Sequence, residues 1–292
     1  MKNPEQKSTP NLKVETEEEY LVKQFHNPKK LDLNGEKIDV VDISPRETIK
    51  GIPTLILPGF SATPLALKDM IIRTAEQGRR VISADAPHGI NIKDRQSDLP
   101  DAEMRKLELV LKTMEVSGLE KVNVIGHSES AIYIVAAAAL YPEKFANIVL
   151  VEPAGLQGKD NALSLLFRFL EDMKEDARQS KDFKKVKFPS PNVGVHSVLS
   201  DVVASAKELH AISKVDISQV LEKIRESGVK VSIIHAVDDK LFPMERIQEK
   251  TTAKMVDGFY SIKGTHNNIY GYEPFGRAAE AALTALENKS VK

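Results

Sequence analysis

The chain has 292 residues, 41% of them hydrophobic, and a formal net charge of −1, so a large core is affordable and no cationic excess points to nucleic acid. It contains no cysteine, which excludes disulfides and thiolate metal sites. The longest apolar run, Ala131 to Leu140, is ten residues, too short to span a bilayer.

Residues 1–20 are charged and poor in apolar groups, and are expected to form a polar mobile tail. They lack the apolar stretch of a secretion signal, so the expectation is a cytoplasmic protein. Next, Asn34-Gly35 stands between short alternating runs in residues 31–44 and predicts an antiparallel hairpin. After it come short apolar runs rich in Val and Ile. They are PTLILP (53–58), RRVISAD (79–85), KVNVIG (121–126), ANIVLVE (146–152), KVSIIHAV (230–237) and KMVDGFYSI (254–262). Their length and composition suit parallel strands buried on both faces.

Helical stretches separate these runs: Pro64 to Gln77, Asp101 to Ser117, Ser128 to Leu140, Ile217 to Ser227 and Pro274 to Asn288. Proline opens and glycine closes the first of them, the usual asymmetry of helix ends. The alternation predicts an α/β fold with a mostly parallel, doubly wound sheet. Residues 157–215 break the pattern with helical pieces at 163–173 and 195–212, read as a helical lid over the sheet's C-terminal edge. The domain expectation is therefore a core of 21–156 and 216–292 with a lid at 157–215.

Gly126-His127-Ser128-Glu129-Ser130 follows the strand KVNVI and opens an Ala-rich helix. A serine on such a sharp turn projects its hydroxyl above the sheet, with small residues needed two positions to either side. At the end of another strand, AVDDKLFP offers two aspartates, Asp238 and Asp239, either of which could orient a histidine. His266, in the loop KGTHNN after the last strand, is the candidate base, since an imidazole's ordinary pKa of about 6.5 lies near working pH. Acyl chemistry also needs donors for an oxyanion. The backbone N–H groups of Glu129 and of Phe60, in the loop Pro58-Gly59-Phe60-Ser61, are the candidates. His127 is expected to pack within the elbow and His235 inside a core strand, His26, His196 and His210 have no partner at metal-ligand spacing, and no P-loop or dinucleotide fingerprint is present.

With PGFSAT, DAPHGI, GHSES, AVDDKLFP and GTH in this order, residues 50–290 resemble the lid-bearing branch of the α/β-hydrolase superfamily. The resemblance implies a nucleophile Ser128, a base His266 and an acid Asp239, which stands four residues before Pro243 as the superfamily's pattern has it. It makes Asp85 and His88 of DAPHGI structural or site-rim residues. Ser130 and Pro58 depart from it, since the family usually has Gly and His there.

The expected activity is hydrolysis of a carboxylic ester or related acyl bond of a small, largely apolar substrate, with no cofactor and no metal. Thioester or C–C bond hydrolysis, acyl transfer and cofactor-free perhydrolysis use the same residues, and a non-catalytic ligand-binding protein of the same fold is the alternative from another class. Leu163, Leu166, Phe167 and Leu170 form one apolar stripe on the first lid helix, and Phe167 and Leu170 are the expected substrate contacts.

Overall fold

The structure, a computed structural model, describes residues 15–33, 35–47, 51–85, 101–158, 160–182 and 202–289. Strands β1 (Lys29–Leu33), β2 (Glu36–Ile43), β3 (Thr54–Leu57), β4 (Val81–Ala84), β5 (Val122–His127), β6 (Phe145–Val151), β7 (Lys230–Ala236) and β8 (Gly258–Ile262) make one sheet. Its order is β1-β2-β4-β3-β5-β6-β7-β8, with β2 antiparallel to both of its neighbours, β1 and β4, and every other pair parallel. The hairpin turn carries Gly35 at φ +90°, the left-handed conformation glycine adopts without steric cost, and Asn34 lies outside the described residues.

Alternation along the strands divides the core into two layers. Leu55, Val124, Leu150 and Ile233 face one side, against α3 (Asp101–Val116), α4 (Ser130–Leu140) and α7 (Ser218–Glu226). Ile56, Ile125, Val149 and Ile234 face the other, against α1 (Glu17–Phe25), α2 (Lys68–Glu76) and α9 (Glu273–Asn288). A short helix α8 (Met244–Lys250) follows β7, and the lid region supplies α5 (Ala162–Asp182) and α6 (Val202–Lys214). Among the described residues, no helix is long and apolar enough to cross a membrane.

Two boundaries differ from expectation. Residues 17–20, assigned to the tail, form the first turn of α1. Thr16 and Glu19 cap each other's backbone N–H there, and Leu21 and Phe25 bury their side chains behind them. The last strand is shorter than the run KMVDGFYSI suggests. Asp257 turns into the sheet, where its carboxylate accepts from the Val231 N–H and pairs with Arg225, and the strand starts only after it.

The fold brings together the loops after β3, β5, β7 and β8. These strands run parallel, so their C-terminal ends lie on one edge of the sheet, with α5 and α6 above it.

Candidate active site

Ser128 directly follows β5 at φ +55°, a left-handed conformation that costs a residue with a Cβ about 1–2 kcal/mol. Its surroundings hold it there. The Ser128 N–H donates to the Val151 carbonyl at 2.9 Å, and the Ser128 carbonyl accepts from Ala131 and Ala154, each at 3.1 Å. A Cβ on Gly126 would come within 2.2 Å of Ile134 Cδ1, so only glycine fits. Ser130 is tolerated where the motif has glycine because it is small. Its hydroxyl also donates to the His127 carbonyl at 2.8 Å, tying down the turn.

His266 Nε2 lies 2.9 Å from Ser128 Oγ, and His266 Nδ1 lies 2.8 Å from Asp239 Oδ2. All three residues are buried, and Asp239 Oδ1 accepts from the Phe242 N–H at 2.8 Å. The structure separates the two aspartates. Asp238 gives its N–H to the Gly264 carbonyl at 3.0 Å, while the Asp239 carboxylate meets the histidine. His235, packed under the acid, donates from Nε2 to the Phe242 carbonyl at 2.7 Å and stays neutral because burial lowers its pKa.

His127 has more to do than packing within the elbow. Its Nε2 faces the His266 carbonyl at 3.0 Å and Glu152 Oε2 at 3.1 Å. A carbonyl can only accept, so Nε2 carries the proton and Nδ1 accepts from the Tyr270 hydroxyl at 2.7 Å. That hydroxyl in turn accepts from the Gly59 N–H at 3.1 Å. One chain of hydrogen bonds thus runs from the loop beside Phe60 to the backbone of His266. Burial, reinforced by His266, holds the His127 pKa well below the ordinary histidine value, so the ring stays neutral. One ligand atom each of His127, Glu152 and His266 lies within 4.8 Å of the others, close enough for a metal ion in principle, but both histidines spend their nitrogens in the bonds above.

Glu129 opens a second buried network. Its backbone follows Ser128 as the first residue before α4, where a helix leaves N–H groups unused by its own turns. Its side chain accepts from Lys106 Nζ at 2.7 Å, and Glu208 of α6 lies 3.3 Å from the same ammonium. Lys106, Glu129, Glu208 and Glu103 are all essentially inaccessible to solvent. Burial alone would lower the Lys106 pKa, but the carboxylates, Glu129 foremost, hold it above the usual lysine value. Burial and then Glu129 push Glu103 well above the usual carboxylate range, so this carboxyl keeps a proton.

The cavity above Ser128 has a volume of about 30 Å³. Its walls include Phe60 and Phe242 from the core, Leu165 and Phe169 from α5, and Leu209 and Ile212 from α6. Phe167 and Leu170, the expected substrate contacts, are instead 59% and 43% exposed, as is Leu163 at 63%. The inner face of α5 is one residue out of phase with the predicted stripe, at Leu165, Phe169 and Asp172. A buried carboxylate interrupts the apolar pattern that would have marked it. Asp85 directly follows β4, where burial and the nearby Asp39 raise its carboxyl to about 6, and His88 lies outside the described residues.

Sequence reasoning also missed Lys106. It stands three and four residues before Leu109 and Val110 on the buried face of α3, and a lysine in that register signals a buried partner. Tyr270 and Glu208 carried no such local signal.

No protein-family model matches the sequence. A relative from Mycobacterium phage D29, named as a non-heme haloperoxidase, is 26% identical over 234 residues, covering 74% of this chain and 82% of its own. Among solved structures, the bromoperoxidase from Bacillus anthracis is similar at a TM-score of 0.62 and 17% identity, covering 88% of this chain and 99% of that one. A carboxylesterase structure from Nitrososphaera gargenis gives 0.62 at 17% identity, over 89% and 100%. The meta-cleavage product hydrolase from Pseudomonas fluorescens gives 0.60 at 16% identity, over 90% and 98%.

Two predictions follow from the buried groups. Replacing Lys106 by Met removes the cation among Glu103, Glu129 and Glu208, and should destabilise the protein by about 3–5 kcal/mol at pH 8. Unpaired carboxylates bind protons more tightly folded than unfolded, so the deficit should shrink as pH falls to 5; denaturant titrations at both pH values, showing an equal deficit, would contradict this. His127 works in the opposite sense. Below about pH 6.5 the unfolded chain takes up a proton that the folded one refuses, so stability falls with pH, by up to about 2 kcal/mol at pH 5. His127→Asn should lose less melting temperature than wild type between pH 7 and 5, and an equal loss would count against a neutral His127.

Proposed function

We propose that this chain, an α/β-hydrolase by fold, is a serine hydrolase that cleaves a carboxylic ester or related acyl bond through an acyl-enzyme on Ser128. The observation that carries the reading is the buried, continuous hydrogen-bond chain from Ser128 Oγ through His266 to Asp239. In the proposed reaction His266 Nε2 takes the hydroxyl proton as Ser128 Oγ attacks the carbonyl carbon. Asp239, accepting from Nδ1–H, keeps the ring in the tautomer that leaves Nε2 able to accept and stabilises the imidazolium that forms. The N–H groups of Phe60 and Glu129 receive the oxyanion. Collapse of the intermediate expels the alcohol, which takes the proton from His266. Water, activated by the same nitrogen, then releases the acid.

The apolar walls favour an uncharged acyl group over a strongly anionic one, because a charge placed there would lose its water and no lysine or arginine is among the described residues that line the cavity. Leu165 and Phe169 of α5 and Leu209 and Ile212 of α6 line the cavity opposite Phe60 and Phe242, so an acyl group bound there would lie between the lid helices and the core.

The likeness to proteins named haloperoxidase and bromoperoxidase supports a second use of the same acyl-enzyme. Hydrogen peroxide in place of water would attack the acyl carbon and leave as a peracid, with Ser128 regaining its proton. Ester turnover, measured with and without peroxide and acetate by bromide oxidation, separates the two.

Ser128→Ala should lower ester turnover by a factor on the order of 10⁴ to 10⁶ while leaving the melting temperature close to wild type, and labelling by a fluorophosphonate should vanish. Turnover within tenfold of wild type would remove the nucleophile. Asp239→Asn should cost about 10⁴ in turnover by favouring the wrong tautomer, whereas Asp238→Asn should cost less than tenfold. The reverse order would overturn the assignment of the acid.

A further inference from the structure

The inner face of α5 ends in a charged residue. Leu165, Phe169 and Asp172 follow one another at helical spacing on the side turned toward the site, and Asp172 is fully buried. Its Oδ1 accepts from the Lys240 N–H at 3.2 Å and its Oδ2 from Asn267 Nδ2 at 3.3 Å. Lys240 is the residue after Asp239, and Asn267 is the residue after His266. A single lid carboxylate therefore grips the two loops that carry the acid and the base, which approach the site from different strands.

A carboxylate taken out of water loses its hydration, a cost an apolar residue in the same place would not carry. Packing the lid onto the core would be served better by leucine. The second lid helix repeats the arrangement: Glu208 of α6 reaches Lys106, which holds Glu129 beside the nucleophile. Both contacts tie a helix that lines the cavity to residues beside Ser128, His266 and Asp239.

We propose that Asp172 is a positioning residue, which draws the Asp239 and His266 loops into register when the lid is seated, so that lid closure and assembly of the Ser128 site are one event. The proposal rests on the serine-hydrolase reading above. Asp172 does not touch the reacting atoms; it acts through Lys240 and Asn267. Its function is to make the assembled geometry available when substrate is enclosed and to relax it when product leaves. A displacement of about 1 Å in a catalytic group can cost a hundredfold in rate.

The test measures turnover of a small acetate ester per active site titrated with a fluorophosphonate. Asp172→Ala should lower kcat per titrated site by tenfold to a hundredfold with KM changed less than threefold. Asn267→Asp, which sets two carboxylates against each other, should lose tenfold or more. Adding Asp172→Asn to it restores a carboxylate–amide pair with the roles exchanged, and keeps an acceptor for Lys240. The double variant should return to within threefold of wild type. This rescue also decides the matter if Asp172→Ala fails to fold. A merely structural role would lower the melting temperature and the titrated fraction but leave kcat per titrated site unchanged. That result, or a double variant no better than Asn267→Asp, overturns the proposal. Wild-type protein that the fluorophosphonate does not label would remove the serine-hydrolase reading itself, and this inference with it. Labelled wild type with an unchanged Asp172→Ala overturns this inference alone.

Discussion

Ser128 is held at φ +55°, against the preference of any residue with a side chain, and the site around it follows from how that conformation is maintained. The turn must be this sharp for the hydroxyl to stand clear of the sheet, and it can be this sharp only where no Cβ is present at Gly126. Ser61 and Glu152, at φ +56° and +50°, are the other non-glycine residues with positive φ among the described residues. They lie beyond the ends of β3 and β6, the two neighbours of β5 in the sheet. The strain is therefore concentrated at one edge, where three adjacent strands give way to the loops that make the site. The central strands β3 to β7, buried on both faces, supply the rigidity below it that keeps such a turn from relaxing.

The same edge is unusual in how it treats charge. Two buried networks flank the serine, and they are built on different terms. The one through Gly59, Tyr270, His127 and the His266 backbone is a relay of neutral donors and acceptors, with His127 kept uncharged by burial. The one through Lys106, Glu129 and Glu208 is ionic, with one ammonium set against two carboxylates. Each ends on a backbone segment that the proposed chemistry needs, the first at the loop before Phe60 and behind His266, the second at Glu129. Side chains far apart in sequence thus fix main-chain groups, which have no side-chain identity of their own for a sequence motif to record.

That difference explains what could be read from the sequence. The strand–helix alternation, the elbow around Ser128 and the order of Ser128, Asp239 and His266 depend on short-range pattern, and all were legible. The choice between Asp238 and Asp239 needed only a spacing, and the structure sets Asp239 against His266. The relay and the ionic cluster were not legible, because Tyr270 with His127 and Lys106 with Glu129 are pairs made by tertiary folding. The lid stripe failed for a more specific reason. On α5 two faces carry apolar residues at helical spacing, Leu163, Phe167 and Leu170 on one, and Leu165 and Phe169 on the other. Counting apolar residues favours the first face, and the structure buries the second because it continues into Asp172.

The buried carboxylate that misled the pattern also bears on what the site can accept. Around Ser128 the low-dielectric walls strengthen any charge that develops there, and the fixed dipoles of N–H groups meet it without having to reorganise. Lys106 adds no net attraction for an anion, since Glu129 and Glu208 lie against it and offset its charge. An anionic substrate would therefore lose its hydration on entry and meet no lysine or arginine among the described residues lining the cavity, while a neutral ester would lose little and develop its negative charge only where the Phe60 and Glu129 N–H groups are proposed to point. The proposed preference for uncharged acyl groups would then follow from the same burial of Lys106 against Glu129 and Glu208 beside Ser128.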